Sequence, residues 1–306
     1  MKESKSREPR HRKHKPASGR LSRFVTATIV TLGVLIMSYP SAASWIDQFN
    51  QTKLVDSYKE VVDTLAVQQR SQSLNEAREY NEDLQAGTAY DPYSNAAEAP
   101  DTEQFDRYMS LLEGVPTGVM ARLRIPAIEV DLPIYHGTSD KTLKLGVGHL
   151  YGTALPVGGK GMHPVLTAHS GLADAVMFTN LHKVKPGDLF QVETYGEKIT
   201  YKVTETNVIL PEETELLRAD PDRDLISLVT CTPVTINTHR LVVTGERIPN
   251  PIEPSDEMPT QDLPGFPWWI VWVSATIIGS VVYVLWGGRE RKRPIPDEPK
   301  AVDAAQ

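Results

Sequence analysis

Hydrophobic and polar positions change their pattern several times along the chain, and each change marks a boundary. Residues 24–43 and residues 266–288 carry no charged side chain. Each run has about 20 residues, enough for a helix to cross a hydrocarbon core of ~30 Å. After the first run, Trp45, Phe49, Leu54, Tyr58, Val61, Val62 and Leu65 recur at helical spacing, which predicts an amphipathic helix. Residues 70–84 are more polar and predict a second helix lying on the surface. Turn formers in residues 86–95 break this pattern; residues 96–102 read as linker and residues 105–112 as a short helix.

From Val119 onward the texture is that of strands. The runs 122–126 and 130–135 are cut by Pro126 and Pro133, as edge or bent strands are. Further runs follow at 165–167, 189–192, 198–203, 225–229 and 240–243. In the run 198–203, Ile199, Tyr201 and Val203 alternate and so share one face. Many short strands with few long helices between them predict a mainly β fold, one closed or nearly closed barrel. Residues 249–264 are rich in Pro, Asp and Glu and read as a stiff spacer. The expected order is a basic tail at 1–23, a transmembrane helix or signal anchor at 24–43 and a helical segment at 44–104. A barrel at 105–248, a linker at 249–265, a transmembrane helix at 266–288 and a tail at 289–306 complete it.

Charge orients this layout. Residues 1–23 carry about +7 and residues 289–306 about +1, so with a total of −7 the remainder holds about −15. An acidic folded mass excludes nucleic acid as a partner, which would need basic surface there. Arg20 and Arg23 precede the first apolar run, and Arg289, Arg291, Lys292 and Arg293 follow the second. By the positive-inside rule both termini are cytoplasmic and residues 44–265 face outside. Trp268, Trp269 and Trp272 fit an aromatic belt at the outer interface. The first run has an alternative reading as a cleaved signal peptide ending at Ser41-Ala42-Ala43. A wall-sorting or GPI-type tail is the alternative for the second, but residues 258–265 hold no convincing processing signal.

Cys231 is the single cysteine of the chain and so is half of no internal disulfide. Its plain alternative is an inert buried thiol, the common state of an unpaired cysteine. Position argues otherwise, because Cys231 ends a β-run and is followed by Thr232-Pro233, where a side chain reaches a surface groove. A thiol of pKa about 8.5 needs a proton carrier and an oxyanion donor to act near neutral pH. Of eight histidines, His11 and His14 lie in the basic tail, and His136, His149, His163, His182 and His239 read as turn or surface residues. His169 stands apart, following the strand Val165-Leu166-Thr167 and preceding Ser170-Gly171. Arg240 heads the strand after that of Cys231, either as a solvated strand end or, if residues 234–239 form a loop, as a cation aimed at the same groove.

The run Leu228-Val229-Thr230-Cys231-Thr232-Pro233, with Ile236-Asn237-Thr238-His239-Arg240-Leu241 after it, resembles the catalytic signature of sortases, and of the pilus-building class C sortases in particular. So does Gly152-Thr153-Ala154-Leu155-Pro156-Val157-Gly158-Gly159, followed by Val165-Leu166-Thr167-Ala168-His169-Ser170-Gly171-Leu172. The likeness covers about residues 121–248. It implies a sortase-type closed β-barrel with N-terminal helices and a lid, flanked by two transmembrane helices. His169, Cys231 and Arg240 would be the catalytic trio, acting without metal or organic cofactor. Cys231 would cleave an LPXTG-type sorting signal between Thr and Gly as a thioester, and a Lys amine of a pilin would take the acyl group. The implied partners are LPXTG-bearing pilin or surface proteins and the membrane.

The same likeness reads Asp91-Pro92-Tyr93 as a lid over the groove, whereas the residues alone describe an Asp-Pro turn. Two departures stand out: Ser170 follows the histidine where sortases usually carry Arg, and Val234-Thr235 stand where Tyr-Gly is common. The competing readings are a housekeeping sortase using cell-wall peptide, a hydrolase releasing its substrate to water, and a non-enzymatic membrane-bound scaffold.

Overall fold

The computed structural model describes residues 19–84, 93, 103–250 and 264–286. They fall into two compact units, Met1–Tyr39 with Trp268–Gln306, and Pro40–Pro267. The boundary lies at Pro40 inside α1 (Gly19–Thr64), where proline removes a backbone donor from the helical ladder.

In the first unit, the start of α1 and all of α5 (Trp268–Trp286) are long and apolar enough to cross a membrane. No residue of α5 is buried, and Ile29, Ile36, Met37, Trp272, Ile278 and Leu285 are all exposed. Such an outward apolar surface suits lipid and suggests membrane anchoring. Several of their hydroxyls are bonded within the unit. Thr28 donates to the Phe24 carbonyl at 2.9 Å, Thr276 to the Trp272 carbonyl at 2.8 Å, and Thr31 meets Ser280 at 3.0 Å.

The second unit begins with the rest of α1, followed by α2 (Val67–Asp83) and α3 (Glu103–Ser110). These helices are fastened to the barrel by buried polar side chains. Tyr58 donates to the Met120 carbonyl at 3.2 Å and accepts from the Tyr195 amide at 2.7 Å. Asn81 bonds the Leu155 carbonyl and amide at 3.0 and 2.7 Å. The second helix expected at 70–84 is α2, which lies on the surface and buries one stripe, Leu74, Ala77, Tyr80 and Asn81. Alanine and asparagine carry little apolar signal, so this packed stripe is faint in the pattern.

The barrel is built from β1 (Ala121–Ile125), β2 (Val130–His136), β3 (Val147–His149), β4 (Val165–Thr167), β5 (Leu189–Thr194), β6 (Glu197–Ile209), β7 (Leu225–Thr232) and β8 (His239–Ile248). It closes in the order β1-β2-β3-β4-β7-β8-β6-β5. Most neighbours are antiparallel, but β2 with β3 and β4 with β7 are parallel. Pro133 sits in β2 opposite Arg122, ahead of Ile134, where β3 begins to pair. Its missing N–H thus costs no ladder bond on the β3 side.

Leu123, Ile134, Leu166, Phe190, Ile226 and Val243 fill one continuous core. β3 and α4 (Asp140–Leu145) have no counterpart among the predicted elements. β3 is three residues long, and Gly148 is required there because a Cβ would lie 2.4 Å from the Gly137 carbonyl oxygen. The cap of α4 is readable, with Ser139 accepting from the Thr142 amide at 3.2 Å.

Candidate active site

Alternation along β7 decides which way Cys231 points. Ile226 and Leu228 belong to the barrel core, whereas Val229 belongs to a smaller apolar cluster with Leu150, Val165, Leu217 and Val242. A period of two puts Cys231 on the face of Val229, at the end of this cluster. Cys231 is half-buried rather than fully buried. Across the antiparallel β7–β8 pair, Cys231 stands directly opposite Arg240, and Val229 opposite Val242. The apolar cluster is thus a floor leading to a thiol and a guanidinium side by side.

Arg240 is only 9% exposed. Its Nη1 donates to the carbonyls of Asn237 at 3.0 Å and His239 at 3.1 Å. These bonds come from the loop after Pro233, whose turn is closed by amides of Ile236 and Asn237 donating to the Pro233 carbonyl at 3.1 and 2.9 Å. Thr235 and Asn237 have positive φ, 72° and 58°. The loop folds back over residues 170–172: a Cβ on Gly171 (φ +73°) would lie 2.2 Å from Val234 Cγ1.

His169 reaches the same place from β4. In the parallel β4–β7 pair Thr167 is level with Val229, so His169 and Cys231 each lie two residues beyond one rung. Hydroxyls cross the seam there. Thr167 Oγ1 donates to the Val229 carbonyl at 3.0 Å, Thr230 Oγ1 to the Ala168 carbonyl at 2.8 Å and Ser170 Oγ to the Cys231 carbonyl at 2.7 Å. The His169 carbonyl instead accepts from the Phe178 amide at 3.0 Å. Burial pushes the His169 imidazole below its ordinary pKa; Asp140 opposes this and Lys144 adds to it.

Tyr93 packs against the apolar floor. Its hydroxyl donates to the Ala168 carbonyl at 2.6 Å and contacts the Val229 carbonyl at 3.4 Å. Its ring centre is 5.1 Å from Arg240 Cζ and 6.1 Å from the His169 ring centre. Burial, and then the neighbouring Cys231, push the phenol well above its ordinary range, against hydroxyl contacts with Thr167 and Thr230 and the charge of Arg240. Asp91 and Pro92 lie outside the described residues. His169, Cys231, Arg240 and Tyr93 are therefore brought together, and the seam hydroxyls of Thr167, Ser170 and Thr230 join them. Thr-Cys-Thr at the end of a β-run was the one readable hint of that seam.

Several histidines are not surface residues. His149 is fully buried on β3, bonded to the Tyr108 hydroxyl at 2.9 Å and the Ala154 carbonyl at 2.7 Å. His163 is buried between the Arg218 carbonyl at 2.9 Å and Ser227 Oγ at 2.8 Å. His136 and His239 are half-buried, and His182 is the exposed one of the five. Among the described residues no group of three His, Cys, Asp or Glu side chains is placed to hold a metal ion.

The sortase domain family matches residues 123–248. Sortase C-1 from Actinomyces oris is 48% identical, with 60% of this chain and 99% of that one covered and a TM-score of 0.57. The chain belongs to the sortase family. A lid mutant of sortase A from Corynebacterium diphtheriae is 42% identical over 62% of this sortase and 98% of that chain, with a TM-score of 0.56. Sortase A from Listeria monocytogenes is 33% identical over 129 residues, 42% of this chain. The chain spans only 56–60% of the length of such curated relatives. The expected barrel and family are thus borne out together.

Proposed function

We propose that this sortase is a class C transpeptidase that joins pilin subunits. The observation that carries the reading is the direct opposition of Cys231 and Arg240 at the end of the apolar floor, with His169 one strand away. The floor suits the apolar Leu-Pro start of an LPXTG-type signal. Cys231 Sγ, as thiolate, attacks the Thr carbonyl carbon; an S–C bond forms and the Thr–Gly C–N bond breaks. Its electron pair stays on the Gly nitrogen, which takes a proton from His169. Arg240, which keeps its charge across this range, stabilises the oxyanion. A Lys Nζ of a second pilin then attacks the thioester, giving up a proton to His169 as the C–S bond breaks. An isopeptide bond remains and the thiolate is restored.

Tyr93 lies on the floor such a signal would occupy, which supports Asp91-Pro92-Tyr93 as a lid, and the similarity to sortase C-1 supports the pilus class. The membrane layout follows from the flanking charges, with residues 44–265 outside the cell. Full-length protein should cleave an LPXTG-type peptide and join it to a Lys-bearing pilin peptide. Cys231→Ala should abolish both reactions, and retained cleavage would sink the mechanism. The second reading is a housekeeping sortase with a cell-wall acceptor; proteins named sortase A are among the curated relatives. Competition between the pilin peptide and a wall-peptide amine for the same thioester decides between the two.

A further inference from the structure

The β4–β7 ladder gives out just before the residues that matter. Its last paired rung is Thr167 with Val229, and the Ala168 amide still reaches the Val229 carbonyl at 3.3 Å. After that the His169 carbonyl turns away to Phe178. Backbone pairing therefore stops short of the His169–Cys231 level. What continues across the gap is hydroxyl chemistry, first Thr230 to the Ala168 carbonyl and then Ser170 to the Cys231 carbonyl. The second bond runs from the residue after His169 to the peptide group of Cys231 itself.

We propose that Ser170 is a positioning residue whose hydroxyl holds the His169 loop and the Cys231 strand end at one separation. This rests on the reading of Cys231 as nucleophile and His169 as its proton partner. A serine hydroxyl is set by a single χ1 torsion, so its bond transmits backbone position directly. A proton carrier works only within hydrogen-bond reach, and a misplacement of about 1 Å can cost ~100-fold in rate. Without Ser170 Oγ, Thr230 remains as the last hydroxyl tie across the seam, one residue short on each strand.

The test uses full-length protein carrying Tyr93→Ala, which removes the ring packed on the apolar floor, compared with the same protein bearing Ser170→Ala or Ser170→Thr. Two readouts are taken: iodoacetamide alkylation of Cys231 against pH, and kcat and KM for an LPXTG-type peptide. Ser170→Ala should lower kcat about 10-fold with KM within two-fold, as the loss of alignment predicts. It should also shift the midpoint of the alkylation profile. Ser170→Thr, which keeps the hydroxyl, should restore both. A merely structural serine would lower thermal stability and leave the profile and kcat in place, and that result overturns the inference. Failure of threonine to restore an alanine loss overturns it as well. Alkylation needs no sorting signal, so a parent that cleaves no peptide overturns the transpeptidase reading while the profile still judges Ser170.

Discussion

Cys231 on β7 and Arg240 on β8 are directly opposed cross-strand partners. Side chains so placed have Cβ atoms about 5 Å apart, so in the proposed mechanism the guanidinium is within reach of the carbonyl oxygen of an acyl group bonded to Cys231 Sγ. Arg240 is held in this attitude by the carbonyls of Asn237 and His239 and by the face of Tyr93. Both carbonyl bonds use Nη1, and the guanidinium carbon lies over the ring.

Arg240→Lys separates charge from geometry. Lysine keeps the charge but lacks the planar guanidinium, which bonds two carbonyls through Nη1 while its Cζ lies over an aromatic ring. Loss of one oxyanion donor typically costs 10²–10³ in kcat, and a fall of about 100-fold is expected here. Steady-state cleavage of an LPXTG-type peptide measures it; activity within three-fold of the parent would show that the positive charge suffices without the guanidinium geometry.

The strand pattern, the end-of-strand cysteine and the loop leading to Arg240 were legible because they rest on local alternation and spacing. His149 was not. It sits among Gly146, Gly148 and Gly152, which read as turns, yet β3 is held by β2 on one side and β4 on the other. Pairing from both neighbours overrides the weak β-propensity of Gly148 and His149. The buried face of α2 was hidden for a related reason, since Asn81 is buried against the backbone of Leu155, far away in sequence. Tyr93 was singled out only through the family likeness. Its carbonyl partners, Ala168 and Val229, become neighbours only once β4 and β7 pair.

Tyr93→Phe removes one hydrogen bond and keeps the ring. The lost partner, the Ala168 carbonyl, still accepts from Thr230, so no buried acceptor is orphaned. A net loss of about 1 kcal/mol corresponds to roughly five-fold more time uncovered. Alkylation of Cys231 should accelerate by about that factor, and further in Tyr93→Ala, where the packing on the floor and on Arg240 also goes. Equal rates in all three proteins would show that Tyr93 does not guard the thiol.

Gly171 and Val234 should be coupled in stability. Gly171→Ala meets two penalties, a left-handed backbone at φ +73° and a methyl 2.2 Å from Val234 Cγ1. The backbone penalty alone is about 1–2 kcal/mol. Val234→Ala relieves the clash but not the backbone strain, and Val234 is partly exposed, so trimming it alone costs little. Thermal unfolding of both single variants and the double should show Gly171→Ala as the least stable, with partial recovery in the double. Additive losses would mean that the loop moves aside at no cost.

His149 should make the fold acid-sensitive, and the sign follows from its environment. Burial, aided by nearby His136, lowers its pKa to about 4, although its bond to the Ala154 carbonyl opposes this. Nε2–H donates to that carbonyl, which leaves Nδ1 to accept from the Tyr108 hydroxyl. A proton on Nδ1 would remove the acceptor that the Tyr108 hydroxyl uses there. Below about pH 6.5 the unfolded chain takes up a proton that folded His149 refuses, so stability falls as pH drops from ~6.5 toward ~4. The slope is up to ~1.4 kcal/mol per pH unit for each such group. His136, also lowered to about 4 by burial, adds in the same direction. Asp47 acts oppositely: burial raises it to about 6, so the folded state holds its proton first. Because these contributions overlap, the informative quantity is the difference between parent and His149→Gln. Glutamine keeps a donor and an acceptor but does not titrate. Urea midpoints at pH 7.0 and about pH 5 should converge in the variant by close to one proton's worth of slope. Parallel pH dependences in the two proteins would place the acid sensitivity elsewhere.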